Sequence, residues 1–291
     1  MPSIVLSTFA FGGLLYGFSS ASTLGWGNAV VVDSIVVGVV ALAWFIHRQL
    51  HIEEPLLQLR ALKTPTFAYS AVIVTVVNSA LAVGSVILPI YLQNVLGLTA
   101  FETGILMTPG AVATIFLSPV SGMLFDRFGP RVIAIVGLTG LTASLAALSF
   151  VDDKTMVAYL VAFYVIQSSG LTLANMPVTT WGINALPNDM IAHGNAISNT
   201  GRQVGGAVST ALIVTVMTMV TAANAEAGPV LSTAAGIDVA YGISAAVASV
   251  ALVIAVLKVR NVKKQAVASP ASRAEAPLEI EMEEAREGAA R

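Results

Sequence analysis

The sequence predicts an all-α membrane protein with eight transmembrane helices, on three observations. Hydrophobic residues make up 56% of the 291-residue chain and charged residues only 10%, against about a quarter charged in soluble domains. Apolar runs long enough to cross a hydrocarbon core of about 30 Å recur down its length, and the mean hydropathy is +0.84. The runs do not alternate polar with apolar as barrel strands would. Helices, which satisfy their own backbone groups in lipid, are what remains.

In chain order the apolar cores are expected at 4–20, 30–46, 67–92, 104–125, 132–150, 156–181, 197–220 and 239–259. The opening "MPSIVLSTFAFGGLLYG" lacks the basic segment and small-residue cleavage site of a secretory signal, so it reads as a retained helix. The first two cores sit at the short end of the spanning range, at about 17 residues. Pro89 falls within the third core, Pro109 and Pro119 within the fourth, and Pro177 within the sixth. Each is a kink position, and "TPG" at 108–110 is expected to bend its helix. Pro130 suits the first turn of the fifth helix. Gly13–Gly17 and Gly201–Gly205 are G-x-x-x-G spacings that let helix backbones approach closely. After the last core come the basic run "KVRNVKK" (258–264), worth about 1 kcal/mol per residue against anionic lipid, and an Ala/Glu/Pro-rich stretch expected to be disordered, with a short helix at 277–287. This divides the chain into two helices (1–48), a linker (49–66), a six-helix unit (67–260) and a tail (261–291).

Charge placement orients the bundle. The loops at 47–66, 126–131, 184–202 and 258–264 hold Arg48, Arg60, Lys63, Arg127, Arg131, Arg202, Lys258, Arg260, Lys263 and Lys264, whereas the opposite loops hold Lys154 alone. By the positive-inside rule the richer side is cytoplasmic, with both termini on it, in a bacterial plasma membrane. The acids outside the tail are expected in loops or at helix ends, Asp238 among them, so that no carboxylate lies at bilayer depth. Proton relays need such a residue. Energy coupling is therefore expected to come from a further polypeptide segment.

Other chemistries find no support in the residues. There is no cysteine, hence no disulfide or thiolate metal site. His47 and His51 are spaced i, i+4 beside Glu53, but continue the second helix and read as an interfacial face rather than a metal site. "GWGNAV" has neither the preceding strand nor the spacing of a nucleotide loop. No cofactor, no nucleic-acid partner and no enzyme activity are expected. Polar residues at depth are Asn78, Gln167 and Asn175, each equally readable as a helix–helix contact; with Met107, Phe163, Met176 and Arg202, which read more readily as lipid, bundle or interface contacts, they are the candidate cavity lining. The methionines and aromatics would suit varied lipophilic cations.

The stretch "GMLFDRFGPR" (122–131) concentrates charge in a glycine-rich turn between two apolar runs. Gly122, Leu124, Asp126, Arg127, Gly129 and Arg131 match the G-x-L-x-D-R-x-G-x-R signature, and the segment resembles the gating loop of the major facilitator superfamily. Pro130 stands where that signature usually has a basic residue. The stretches 88–111, 117–131 and 195–212 are similar to the C-terminal half of the fourteen-helix drug:proton antiporters of the EmrB/QacA type, and 11–28 and 51–67 to that family's two additional central helices and the linker after them. The resemblance implies two linker helices plus one six-helix half of a major facilitator bundle. It implies proton-coupled export of lipophilic compounds by alternating access, with Asp126 and its arginines tying helix ends in one state. It also implies that the partners are the bilayer, a lipophilic substrate and an N-terminal half of six helices bearing the proton-coupling acid. A non-transporting fragment or accessory subunit that only pairs with other helices is the alternative.

Overall fold

A computed structural model describes residues 2–52, 57–151 and 155–260, and all of its regular structure is helical. The long helices are α1 (Pro2–Leu24), α2 (Ala29–His51), α3 (Pro65–Ile90), α4 (Ala100–Ala147), α5 (Val157–Ile183), α6 (Ile191–Ala223) and α7 (Pro229–Lys258). Among the described residues six helices are long and apolar enough to span a membrane; α1 contributes a shorter apolar stretch, Val5–Ala21.

α4 holds two spans. Its 48 residues would reach about 72 Å at 1.5 Å per residue, more than twice a hydrocarbon core. Gly129 breaks it, with φ 78° and ψ 170°, a conformation that only glycine adopts without strain. The contacts along α5 show the reversal. Gly110 faces Tyr164 and Gly122 faces Met176, whereas Gly137 faces Gly170 and Ala174, and Gly140 faces Ile166. The first arm (100–128) thus runs along α5 and the second (130–147) runs back, so the described residues hold eight long helical segments, of which α1 is the short one. The expected loop at 126–131 is corrected to a one-residue break: helical backbone continues through Phe128 and resumes at Pro130. Pro109 and Pro119 lie inside the first arm with helical φ/ψ, and Pro89 lies inside α3 two residues before a π-helical turn at Tyr91–Val95.

Local chemistry sets the other ends. Asn28 accepts from the Val30 N–H at 2.9 Å and opens α2. A capping box of Thr99 and Glu102 opens α4, with the Thr99 N–H donating to the Glu102 carboxylate at 2.8 Å. Pro65 and Pro229 occupy first-turn positions of α3 and α7, where a missing N–H loses nothing.

Small residues bring the helices together. A Cβ added to Gly13 would lie 2.9 Å from the Ser34 carbonyl oxygen, and Gly38 is equally tight against Leu14, so α1 and α2 form a close hairpin. That hairpin docks on α6: Ala21, Val31 and Ala211 share an apolar cluster, and the Trp26 indole N–H donates to Thr215 Oγ1 at 2.5 Å. Gly201 and Gly205 face Thr75 of α3, so both G-x-x-x-G spacings mark contacts between helices. The main core draws on α3, the second arm of α4, α5 and α7, around Ile73, Leu138, Leu141, Ala174, Ile237 and Tyr241.

At one end of the bundle Arg131 donates to the Val256 carbonyl at 3.2 Å, Lys258 lies 5.2 Å from the Tyr69 ring centroid, and Phe67 packs with Leu186. The basic segments expected to share a side therefore meet at one end. Glu53, Glu54, Asp152, Asp153 and the tail with its short helix lie outside the described residues.

The expected place of one acid, Asp238 at an outer helix end, is corrected to the interior of a helix. α7 begins at Pro229 rather than at 239, which puts Asp238 on the order of 13 Å along a 30-residue helix, with Oδ1 buried. The positive-φ Gly228 and the first-turn Pro229 start this helix early, and an acid in an apolar sequence does not stop it.

Candidate substrate cleft

α4 packs along α5, and α3 bridges α5 and α6, but α5 and α6 hardly touch. The gap is a cleft of about 380 Å³ between the first arm of α4, α5 and α6. Its chemistry follows from the helical period of "LTLANMPVTT" (171–180). Ala174, Val178 and Trp181 are buried in the core, while Thr172, Asn175, Met176 and Thr179 line the cleft. Leu171 and Thr180 complete the α5 wall; Ser118 comes from α4 and Arg202 from α6.

The polar groups are only partly used. Thr172 Oγ1 donates to the Ser168 carbonyl at 2.8 Å and Thr179 Oγ1 to the Asn175 carbonyl at 2.7 Å. Thr179 also reaches Asn175 Oδ1 at 3.4 Å, and the Asn175 amide N–H groups make no hydrogen bond among the described residues. Arg202 sits about 16 Å from the start of α6 at 1.5 Å per residue, half-buried, with Nε donating to the Ser198 carbonyl at 3.4 Å.

The structure brings Asn175, Met176 and Arg202 together and sends the other lining candidates elsewhere. Asn78 donates to the Val74 carbonyl of its own helix at 2.8 Å. Gln167 is 3% exposed and lies against Gly84 of α3. Met107 and Phe163 pack on the main core, where Phe163 stacks on Tyr159 with centroids 4.5 Å apart. The hydroxyls of Thr172 and Thr179 were not singled out in the sequence, although their offsets of three and four residues from Asn175 put all three on one helix face. A second, apolar cavity of about 190 Å³ lies between α3, α6 and α7, dotted with Ser79, Ser209 and Ser244.

The motif residues flank this cleft. Gly122 packs on Met176, with an added Cβ falling 3.5 Å from Met176 Cε, so the motif's arm touches the cleft wall. Leu124 is half-buried beside it. Asp126 is exposed and makes no hydrogen bond or ion pair among the described residues. The Arg127 guanidinium lies 5.3 Å from the Phe128 ring centroid, and Arg131 holds the end of α7. His51 Nδ1 lies 2.8 Å from the His47 carbonyl oxygen, and no metal-holding group of three His, Cys, Asp or Glu occurs among the described residues.

The family model of the Major Facilitator Superfamily matches residues 3–210. A Bacillus subtilis protein named as the uncharacterized MFS-type transporter YcnB is 45% identical over 215 residues, covering 74% of this chain and 46% of the relative. Lincomycin resistance protein LmrB of Listeria monocytogenes is 39% identical over 215 residues, with the same coverage of 74% and 46%. The Tetracenomycin C resistance and export protein of Streptomyces glaucescens is 27% identical over 213 residues, covering 73% of this chain and 40% of the relative. The chain thus spans about half the length of the curated relatives it matches. With this match over most of its spans, the chain is a multi-pass membrane protein that belongs to the major facilitator superfamily of transporters.

Proposed function

We propose that the chain is the C-terminal part of a proton-coupled exporter of lipophilic compounds, working by alternating access, and that the cleft of Asn175, Met176 and Arg202 is one wall of its substrate cavity. The carrying observation is that cleft: polar groups among apolar ones, open between three helices, in a member of a transporter family. Two relatives bear names of drug resistance or export, which supports lipophilic compounds as the substrate class. The other wall would come from six N-terminal helices, as the coverage of 46% of a relative allows. We place the protein in the bacterial plasma membrane with both termini cytoplasmic, on the ten-to-one excess of basic residues in one set of loops.

The motif fits the same reading. Arg131 ties the second arm of α4 to α7, and Gly122 links the first arm to the cleft wall. Asp126, exposed here, would take up a partner in another state of the cycle.

The test is retention of lipophilic dyes of differing charge by cells producing this chain alone or with an upstream half. Uncoupler-sensitive efflux only with both parts is the expected result. Uncoupler-sensitive efflux by the chain alone would overturn the dependence on a second half. No efflux in either case would favour the non-transporting alternative. Because the chain has no cysteine, single cysteines introduced at Lys63 and Ser149 report its sidedness, and labelling from the cytoplasmic side is expected at Lys63 only.

A further inference from the structure

The cleft holds a cation and no anion. Arg202 is its single charged lining residue. The described carboxylates are Asp33, Glu102, Asp126, Asp189, Glu226 and Asp238, and none of them lines it. A guanidinium carries five N–H donors in a rigid fork. Only Nε is used, weakly, on the Ser198 carbonyl at 3.4 Å, and no carboxylate lies within ion-pair distance of Arg202 among the described residues. The neighbouring Asn175 amide, Ser118 hydroxyl and Thr180 hydroxyl add further donors. Leu171 and Met176 supply the apolar wall beside them.

A charge at this depth is costly unless paired, and a planar fork pairs best with a carboxylate. We propose that Arg202 selects the carboxylate of a lipophilic acid, with Asn175 as second donor, so that the cleft favours anionic or neutral lipophilic compounds over cations. This rests on reading the cleft as a substrate wall and reverses the preference for lipophilic cations expected from the methionines and aromatics. A cation brought to the same place would face the guanidinium across a few ångströms of low dielectric, where like charges repel strongly.

The experiment uses the full chain in phosphatidylcholine nanodiscs and three probes sharing one fluorophore: pyrenebutyrate, its uncharged amide, and pyrenebutylamine. Binding is read by energy transfer from tryptophan, and circular dichroism confirms that each variant keeps the helical content and melting temperature of the unmodified chain. The carboxylate is expected to bind about tenfold more tightly than the amide, with the ammonium weakest. Arg202→Gln brings the carboxylate down to the amide's affinity. Arg202→Lys, which keeps the charge but not the fork, retains part of the preference. Equal affinity for the three probes, or a preference that survives Arg202→Gln, overturns the charge assignment and leaves the cleft standing. If no probe binds even with the upstream half present, the cleft is not a substrate wall and both readings fall. A preference shown by the chain alone but abolished when the upstream half is added overturns the proposal in favour of an acidic side chain from that half.

Discussion

Two faces of α5 differ over the same ten residues. On one, Gly170, Ala174 and Val178 pack against the second arm of α4 and the core, close enough that a Cβ on Gly170 would lie 2.6 Å from the Gly137 carbonyl oxygen. On the other, Thr172, Asn175 and Thr179 line a cleft that α6 approaches without closing. In lipid there is no hydrophobic drive between helices, so backbone-to-backbone packing of small residues holds a bundle together, and polar groups along a gap do not. The dry face should therefore carry stability and the polar face should carry binding.

The largest effect is expected on the dry face. Gly170→Leu forces Gly137 and Leu141 apart at the backbone, and the variant is expected to be lost to proteolysis or to melt without a cooperative transition in detergent. Gly170→Ala is milder, at about 1–3 kcal/mol for overpacking, partly offset by up to about 1 kcal/mol of helix propensity. The control is Gly140→Ala, whose Cβ would meet nothing nearer than Ile166 Cγ2 at 3.8 Å. It is expected to melt at or slightly above the unmodified chain, and equal losses at Gly140 and Gly170 would sink the packing argument.

Next comes the hinge. Gly129→Ala puts a side chain at φ 78°, ψ 170° and is expected to cost about 1–3 kcal/mol, whereas Gly122→Ala, in the same motif, places a Cβ 3.5 Å from Met176 Cε in ordinary contact and is expected to be near neutral. Differential melting of the two variants separates a glycine kept for conformation from one kept for approach. Smaller again is Thr99→Ala, which removes the side-chain half of the capping box at the start of α4, leaves the backbone N–H donating to Glu102, and should lower stability by about 1 kcal/mol.

The spans were legible because length and apolarity are local properties of the chain, and lipid leaves helices as their answer. The turn at Gly129 was legible as a glycine-rich charged segment, but its reduction to a single residue was not, since the helix-forming sequence on either side runs to its edge. Asp238 misled because one acid was read as a boundary, while the helix start is set nine residues earlier by Gly228 and Pro229. The contact of Gly137 with Gly170 could not be read from sequence spacing, because the two lie on separate helices and only folding pairs them. The cleft was half legible: Asn175 stood out as a polar residue at depth and Met176 as a possible apolar lining, and Thr172 and Thr179 stood on the same face unnoticed. Arg202 read more readily as an interface anchor, and only its place on α6 as a lining residue with Asn175 joins it to the cleft.

The smallest expected effect on stability belongs to the polar face, and it is the sharpest test of the contrast. Asn175 is half-buried, and its side chain has one long contact at 3.4 Å from the Thr179 hydroxyl, so Asn175→Ala removes little that the fold uses. Its melting temperature should shift by no more than about 0.5 kcal/mol implies, the range of substitutions away from packed or bonded features. Dye efflux with the upstream half present should nonetheless fall several-fold, because Asn175 lines the cleft and its amide is little used by the bundle. If Asn175→Ala instead melts several degrees lower with efflux per folded molecule unchanged, Asn175 is a structural residue and the division between the two faces of α5 does not hold.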